Sequence, residues 1–241
     1  MNQFIFDVDG TLTPSRQTID LDFAVFFKQF CKENNVYLIT GSDRNKTIEQ
    51  VGEEIYNLAK CVYNCSGSDV YKGSENIRRD KWKLPEDARI FLLGCLKASE
   101  FKYKTDNHLE QRSGMLNFSI VGRSCTQQDR KKYCEWDKQN NERNKITLKF
   151  NKLFPKLQAT VGGQTGIDIA PHGANKGQIL KDFDSSDTLH FFGDAMGTQG
   201  NDYPLKKLII DQGRGLCYTV NSWKDTKQLL YERTLGRKIS S

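Results

Sequence analysis

No apolar run in the chain approaches the length of a membrane span, and no charged N-terminal stretch leads into an apolar segment of leader length. A membrane partner is therefore not expected, and a cytoplasmic location is. Paired cysteines at zinc spacing are also missing. The closest of the seven cysteines, Cys61 and Cys65, lie in an apolar, strand-like run, which reads as buried thiols rather than a metal or redox site. There is no long basic run and no aromatic–basic repeat, so the formal charge of +6 makes no case for nucleic acid, although a mild positive field suits an anionic small substrate. Internal repeats and low-complexity segments are absent. What remains is a chain of 241 residues with 37% hydrophobic and 27% charged residues, enough for a soluble globular core with a smaller insert.

The opening of the chain alternates strand and helix patterns. Phe4-Ile5-Phe6 is a short apolar run that breaks at Asp7-Val8-Asp9-Gly10. Residues 21–31 place apolar side chains at helical spacing, and Val36 to Thr40 reads as a second buried strand. Ile48, Val51, Ile55, Leu58 and Ala59 mark the stripe of a second helix, and Cys61 to Cys65 a third strand. This predicts an α/β fold, with a Rossmann-like parallel sheet covered by helices. The pattern then changes. Residues 108–112 and 115–121 predict a hairpin around Ser113-Gly114. Ser124 and Gln127 suggest a capping box opening a helix, Ile146 to Phe154 continue a helical period, and residues 158–162 and 165–170 read as strands. Together these suggest an α+β insert. After about residue 174 the alternation returns: a helix over Lys176–Phe183, strands at Thr188–Phe192 and Leu208–Ile210, and a last helix from Ser222 with Asp225 as its capping partner.

The richest signal is Asp7-Val8-Asp9-Gly10-Thr11-Leu12-Thr13. Residues two apart on a strand project to one side, so Asp7 and Asp9 are expected to leave the sheet together at its carboxyl edge, where open α/β sheets place ligands. Two carboxylates there suit Mg²⁺, which takes oxygen ligands and offsets repulsion between an anionic nucleophile and a phosphate. Asp7 is then the expected nucleophile and carrier of a covalent aspartyl phosphate. Asp9 is placed to protonate the leaving oxygen and to deprotonate the incoming one.

This motif is that of the haloacid dehalogenase-like superfamily, which the chain resembles from end to end. The resemblance implies roles for further residues. A hydroxyl of Ile39-Thr40-Gly41-Ser42 would hydrogen-bond the transferring phosphoryl group, so Thr40 and Ser42 are substrate-binding candidates. Lys176 would offset charge on that group and on Asp7. Asp194, ending Phe191-Phe192-Gly193-Asp194, would be the third protein contact to magnesium, with Asn201 and Asp202 orienting water or Lys176 from its outer shell. Residues 1–80 and 174–241 are expected to form the core, and 81–173 the inserted α+β cap.

Several segments are similar to eukaryotic-type phosphomannomutases in particular: Phe6 to Gln17, Gln111 to Cys125 (QRSGMLNFSIVGRSC), and Gly162-Gly163-Gln164 followed by Asp168, Lys176, FFGD and GNDYPL. Residues 70–105 match only loosely. The resemblance implies interconversion of hexose (mannose) 1-phosphate and 6-phosphate through a hexose 1,6-bisphosphate, which also serves as activator, a place in GDP-mannose biosynthesis, and a homodimer paired through the cap. The family's arginines map onto Arg16 in the core and Arg112, Arg123 and Arg130 in the cap, where planar guanidinium forks suit the second phosphate. From spacing alone, convergence of these three arginines and unrelated surface positions are equally open. Asp168 matches a residue that binds sugar hydroxyls. Gly166 stands where the family usually has serine, and the segment after Asp202 departs from the family's additional ion site. Two alternatives stay open: a phosphatase using the same aspartyl phosphate with water as acceptor, and a non-catalytic sugar-phosphate sensor.

Overall fold

The computed structural model describes residues 1–162, 164–198 and 200–239. They form two compact units, Met1–Arg79 with the chain from Ala174 onward, and Asp80–Gly173. Among the described residues no helix is long and apolar enough to cross a membrane.

The first unit is built on a seven-stranded sheet. Its strands are β1 (Asn2–Asp7), β2 (Asn35–Ile39), β3 (Cys61–Asn64), β4 (Asp69–Lys72), β5 (Glu75–Arg79), β10 (Thr188–Gly193) and β11 (Gly215–Thr219), in the order β11-β10-β1-β2-β3-β4-β5. The first five in that order run parallel, and β4 and β5 add antiparallel. In β1 successive side chains enter opposite layers. Phe4 and Phe6 join Phe23, Phe27 and Phe30 of α1 (Leu21–Glu33), while Ile5 meets Ile179, Leu180, Leu205 and Ile209 on the other face. Each such fully buried side chain contributes on the order of 1.5–3 kcal/mol. Asp20 caps α1 by accepting from Phe23 N at 3.0 Å.

The second unit has a four-stranded antiparallel sheet of β6 (Leu109–Arg112), β7 (Met115–Ser119), β8 (Leu157–Gly162) and β9 (Gly166–Pro171), ordered β6-β7-β9-β8. One face, with Leu116, Phe118, Ile167 and Ile169, packs with residues of α4 (Glu86–Ala98), α5 (Gln127–Asn140) and α6 (Glu142–Leu153). The opposite face carries a polar row set by register: Glu110 lies across from Asn117, Asn117 from Asp168, and Asp168 from Thr160.

Several elements differ from the sequence expectation. The stripe from Ile48 to Ala59 is two helices, α2 (Arg44–Val51) and α3 (Glu53–Leu58), because Gly52 takes φ 82° and breaks the run. Leu208–Ile210 is not a strand but lies in α7 (Tyr203–Asp211), where Pro204 occupies the first turn and Leu205 and Ile209 face inward four residues apart. The strand at the edge beside β10 is β11 instead. The capping box of α5 is Thr126 with Asp129, not Ser124 with Gln127. Lys176–Asp182 is helical but of the tighter 3₁₀ kind. The last helix, α8 (Trp223–Ile239), starts just after Ser222, and Asp225 accepts from Asn221 N. Gly163 lies outside the described residues.

Candidate active site

Three parallel strands deliver their carboxyl ends to one place in the first unit. β1 ends at Asp7, β2 leads into Thr40, and β10 leads into Asp194. Parallel pairing keeps these ends level, so the polar residues after each strand meet where no ladder partner remains.

Asp7 is 4% exposed and Lys176 1%. The Lys176 ammonium donates to Asp7 Oδ1 and, at 2.7 Å, to Asp202 Oδ1. Asp202 is fully buried and also accepts from Ala195 N at 3.0 Å. Asp7, Asp194 and Asp202 each offer a carboxylate oxygen, all within 4.8 Å of one another. Burial pushes the Asp7 carboxyl up to about 8, against the pull of Lys176. Burial opposes the charge on Lys176, but Asp202 and Asp7 outweigh it and hold its pKa above the ordinary lysine value. Partial desolvation, then the Asp202 charge, lifts the Asp194 carboxyl. Three acids facing one buried ammonium leave an excess of negative charge. An oxygen-donor set of this kind fits a hard divalent cation such as Mg²⁺.

Asp9 is not one of these three acids. β1 stops at Asp7, and the chain then turns: the Val8 carbonyl accepts from Leu12 N at 2.9 Å and Thr13 N at 3.0 Å. The period of two therefore does not reach Asp9. Its Oδ1 instead accepts from Arg16 N at 2.6 Å and Gln50 Nε2 at 2.9 Å. The exposed Arg16 takes φ 60°, a left-handed conformation tied down by that contact. Gly10, at φ 79°, lies against the Asp194 carboxylate where any Cβ would stand. The buried Thr40 holds the next loop, its Oγ1 accepting from Ser42 N at 3.1 Å. Asn201 is exposed.

The second unit carries a separate polar cluster. Glu110 Oε2 accepts from Arg112 Nη2 at 2.9 Å and Arg123 Nε at 2.7 Å. Two of the three candidate arginines of this unit are thus brought together. Arg130, in the first turn of α5, has a buried Nη1 without a hydrogen-bond partner and is not joined to Glu110. Asp168 accepts from Asn117 Nδ2 at 2.6 Å. Burial raises its carboxyl above the ordinary range despite that hydrogen bond and the charges of Arg112 and Arg123. A Cβ on Gly166 would stand 2.5 Å from Asn117 Nδ2, so the asparagine amide occupies the space a serine there needs.

Three residues enter only with the structure. Gln50 is 1% exposed, and its signal is a polar residue beside an apolar helical stripe. Glu110 shares an alternating strand face with Arg112. Asn117 interrupts the apolar run of β7.

Comparison with known proteins agrees with the family resemblance of the sequence. The sequence model of eukaryotic phosphomannomutase matches residues 23–235. The phosphomannomutase of Dendrobium officinale is 33% identical over 232 residues, covering 93% of this chain and 90% of the relative. Human phosphomannomutase 1 is 34% identical over 236 residues, covering 93% and 88%. Among solved structures, a haloacid dehalogenase-like hydrolase from Bacteroides thetaiotaomicron superposes with TM-score 0.63 at 13% identity, covering 97% of this chain and 99% of that one. A trehalose-6-phosphate phosphatase related protein gives 0.59 at 14% identity, covering 98% and 99%. These distant structures share the fold, a haloacid dehalogenase-like α/β core with an α+β unit, and by sequence the chain belongs to the eukaryotic phosphomannomutase family.

Proposed function

We propose that the protein interconverts mannose 1-phosphate and mannose 6-phosphate through a phosphorylated Asp7 and a hexose 1,6-bisphosphate. The observation that carries the reading is the buried cluster of Asp7, Lys176 and Asp202 beside Asp194. An Asp7 carboxylate oxygen forms a bond to phosphorus as the bond from phosphorus to the sugar oxygen breaks, and Asp9 gives its proton to that oxygen. In the reverse half, Asp9 takes the proton of the incoming hydroxyl as that oxygen attacks the aspartyl phosphate. Gln50 and the Arg16 amide hold the Asp9 carboxylate for this exchange. Lys176 keeps a positive charge against the transferring group, and Asp202 orients Lys176. Thr40 and Ser42 supply hydroxyls to the phosphoryl oxygens.

Asp7, Asp194 and Asp202 would hold Mg²⁺, with Asn201 outside them; such an ion supplies Lewis-acid charge compensation at the phosphoryl group. Arg112 and Arg123 grip the phosphate that is not being transferred, Arg130 adds a further cation, and Arg16 serves the core side. Asp168, steadied by Asn117, accepts from sugar hydroxyls. Residues 80–173 act as the cap.

A hexose 1,6-bisphosphate primes Asp7. A cytoplasmic location accords with seven free thiols, and the isomerisation suits GDP-mannose biosynthesis. A homodimer through the cap is supported by exposed Ile90 and Leu93 of α4 and Leu148 and Leu153 of α6.

The test supplies mannose 1-phosphate, Mg²⁺ and a trace of glucose 1,6-bisphosphate, and follows mannose 6-phosphate and free phosphate together. Mannose 6-phosphate should accumulate well ahead of free phosphate. Free phosphate with no isomer would leave a phosphatase, and tight binding with no turnover a sensor.

A further inference from the structure

One oxygen of Glu110 accepts from two guanidinium groups at once, Arg112 Nη2 at 2.9 Å and Arg123 Nε at 2.7 Å. The side chain is 30% exposed, more than either arginine at 19% and 21%. Strand register sets Glu110 in the same row as Asn117 and Asp168. The pair of arginines therefore faces two carboxylates, Glu110 in contact and Asp168 within electrostatic reach, and the formal charges of these four groups cancel. A site meant only to attract a phosphate would leave the arginines uncompensated. An arriving phosphate oxygen needs the same N–H groups that Glu110 now takes, and a carboxylate left beside the bound phosphate would repel it.

We infer that Glu110 is a resident counter-anion of the arginine pair, displaced by the ligand's phosphate and returning when that phosphate leaves. It is a positioning residue that acts through Arg112 and Arg123. The inference rests on the reading that these arginines hold the second phosphate. That reading gives the device a purpose. The bisphosphate must turn end for end, so the arginines have to release one phosphate and take another in every cycle. A bare arginine pair would hold too firmly. With Glu110 competing, binding is an exchange of one oxyanion for another, and release leaves no unpaired guanidinium behind.

The experiment measures inorganic phosphate binding to the full chain by calorimetry, with a chelator present so that no divalent ion draws phosphate to the acidic cluster of the first unit. Glu110→Gln keeps the shape and removes the charge; Glu110→Ala removes both. Each should bind phosphate about fivefold more tightly than the unaltered protein, in the range expected for losing one partly exposed ion pair. In turnover, Glu110→Gln should lower KM for mannose 1-phosphate and lower kcat with it, because release slows. A purely structural role would weaken phosphate binding and raise KM, and that result overturns the inference. Arg112→Gln and Arg123→Gln separate the two levels. If they weaken phosphate binding while the Glu110 variants do not tighten it, only the counter-anion role fails. If they leave phosphate binding unchanged, the arginine subsite itself is wrong and the inference falls with it.

Discussion

Lys176 is the residue on which the first unit's chemistry and part of its stability converge. It is buried between Asp7 and Asp202, so each charge is tolerable only because the others are present. Lys176→Met leaves two carboxylates facing each other in a dry site and should cost roughly 3–5 kcal/mol of unfolding free energy, read from urea denaturation. Adding Asp202→Asn to that variant should recover part of the loss, because the two changes act on one interaction. Asp9 is argued at the same scale. Its carboxylate is held by Gln50 and the Arg16 amide, so Gln50→Ala should misplace it and lower kcat by about tenfold. On the proposed role, Asp9→Asn removes the proton carrier altogether and should lower kcat by about 10²–10⁴-fold. An unchanged kcat for Gln50→Ala would detach Gln50 from the chemistry.

At the scale of elements, the turn after β1 decides where the acids point. Gly10 adopts φ 79° and leaves room for the Asp194 carboxylate. Gly10→Ala should therefore strain the turn by about 1–3 kcal/mol and displace Asp194, with loss of Mg²⁺ affinity in a calorimetric titration. A wild-type affinity would contradict this packing. The same turn explains what the sequence could and could not disclose. Asp7 was legible because a buried strand ends in a carboxylate before Gly10. Asp202 as the partner of Lys176 came from the resemblance, whereas the departure of Asp9 from the acidic group was not legible, because it depends on the turn closed on the Val8 carbonyl and on contacts to the Arg16 amide and Gln50. Strands with apolar runs and period-two burial, such as β1, β2 and β10, were readable, as were α1 and the hairpin of β6 and β7. The run Leu208–Ile210 misled because three apolar residues fit either period, and the deciding signals, Pro204 and the Leu205–Ile209 spacing, lie partly outside it. Gly52 was a visible breaker inside a stripe otherwise continuous from Ile48. In the second unit the arginine positions were legible as a motif, whereas their shared partner Glu110 emerges only from strand register.

For the whole molecule, the buried thiols and phenols set an alkaline limit. Burial pushes Cys31 and Tyr56 up to about 12 and Cys217 up to about 11. In the unfolded chain these groups ionise at their ordinary values, 9.0 for the thiols and 10.0 for the phenol. The folded state then holds protons that the unfolded state has lost. The sign follows: stability is fully present below pH 9 and falls as pH rises from there toward 12. Melting temperature measured across that window should decline, and Cys31→Ser should flatten the early part of the decline; a constant melting temperature would contradict the burial of these groups. The most direct test of the central claim is to quench the protein in acid after brief exposure to radiolabelled hexose 1,6-bisphosphate with Mg²⁺ and map the label. The account predicts a hydroxylamine-labile phosphate on the peptide containing Asp7, absent from Asp7→Asn. Label on another residue, or isomerisation of mannose phosphates by Asp7→Asn, would contradict it.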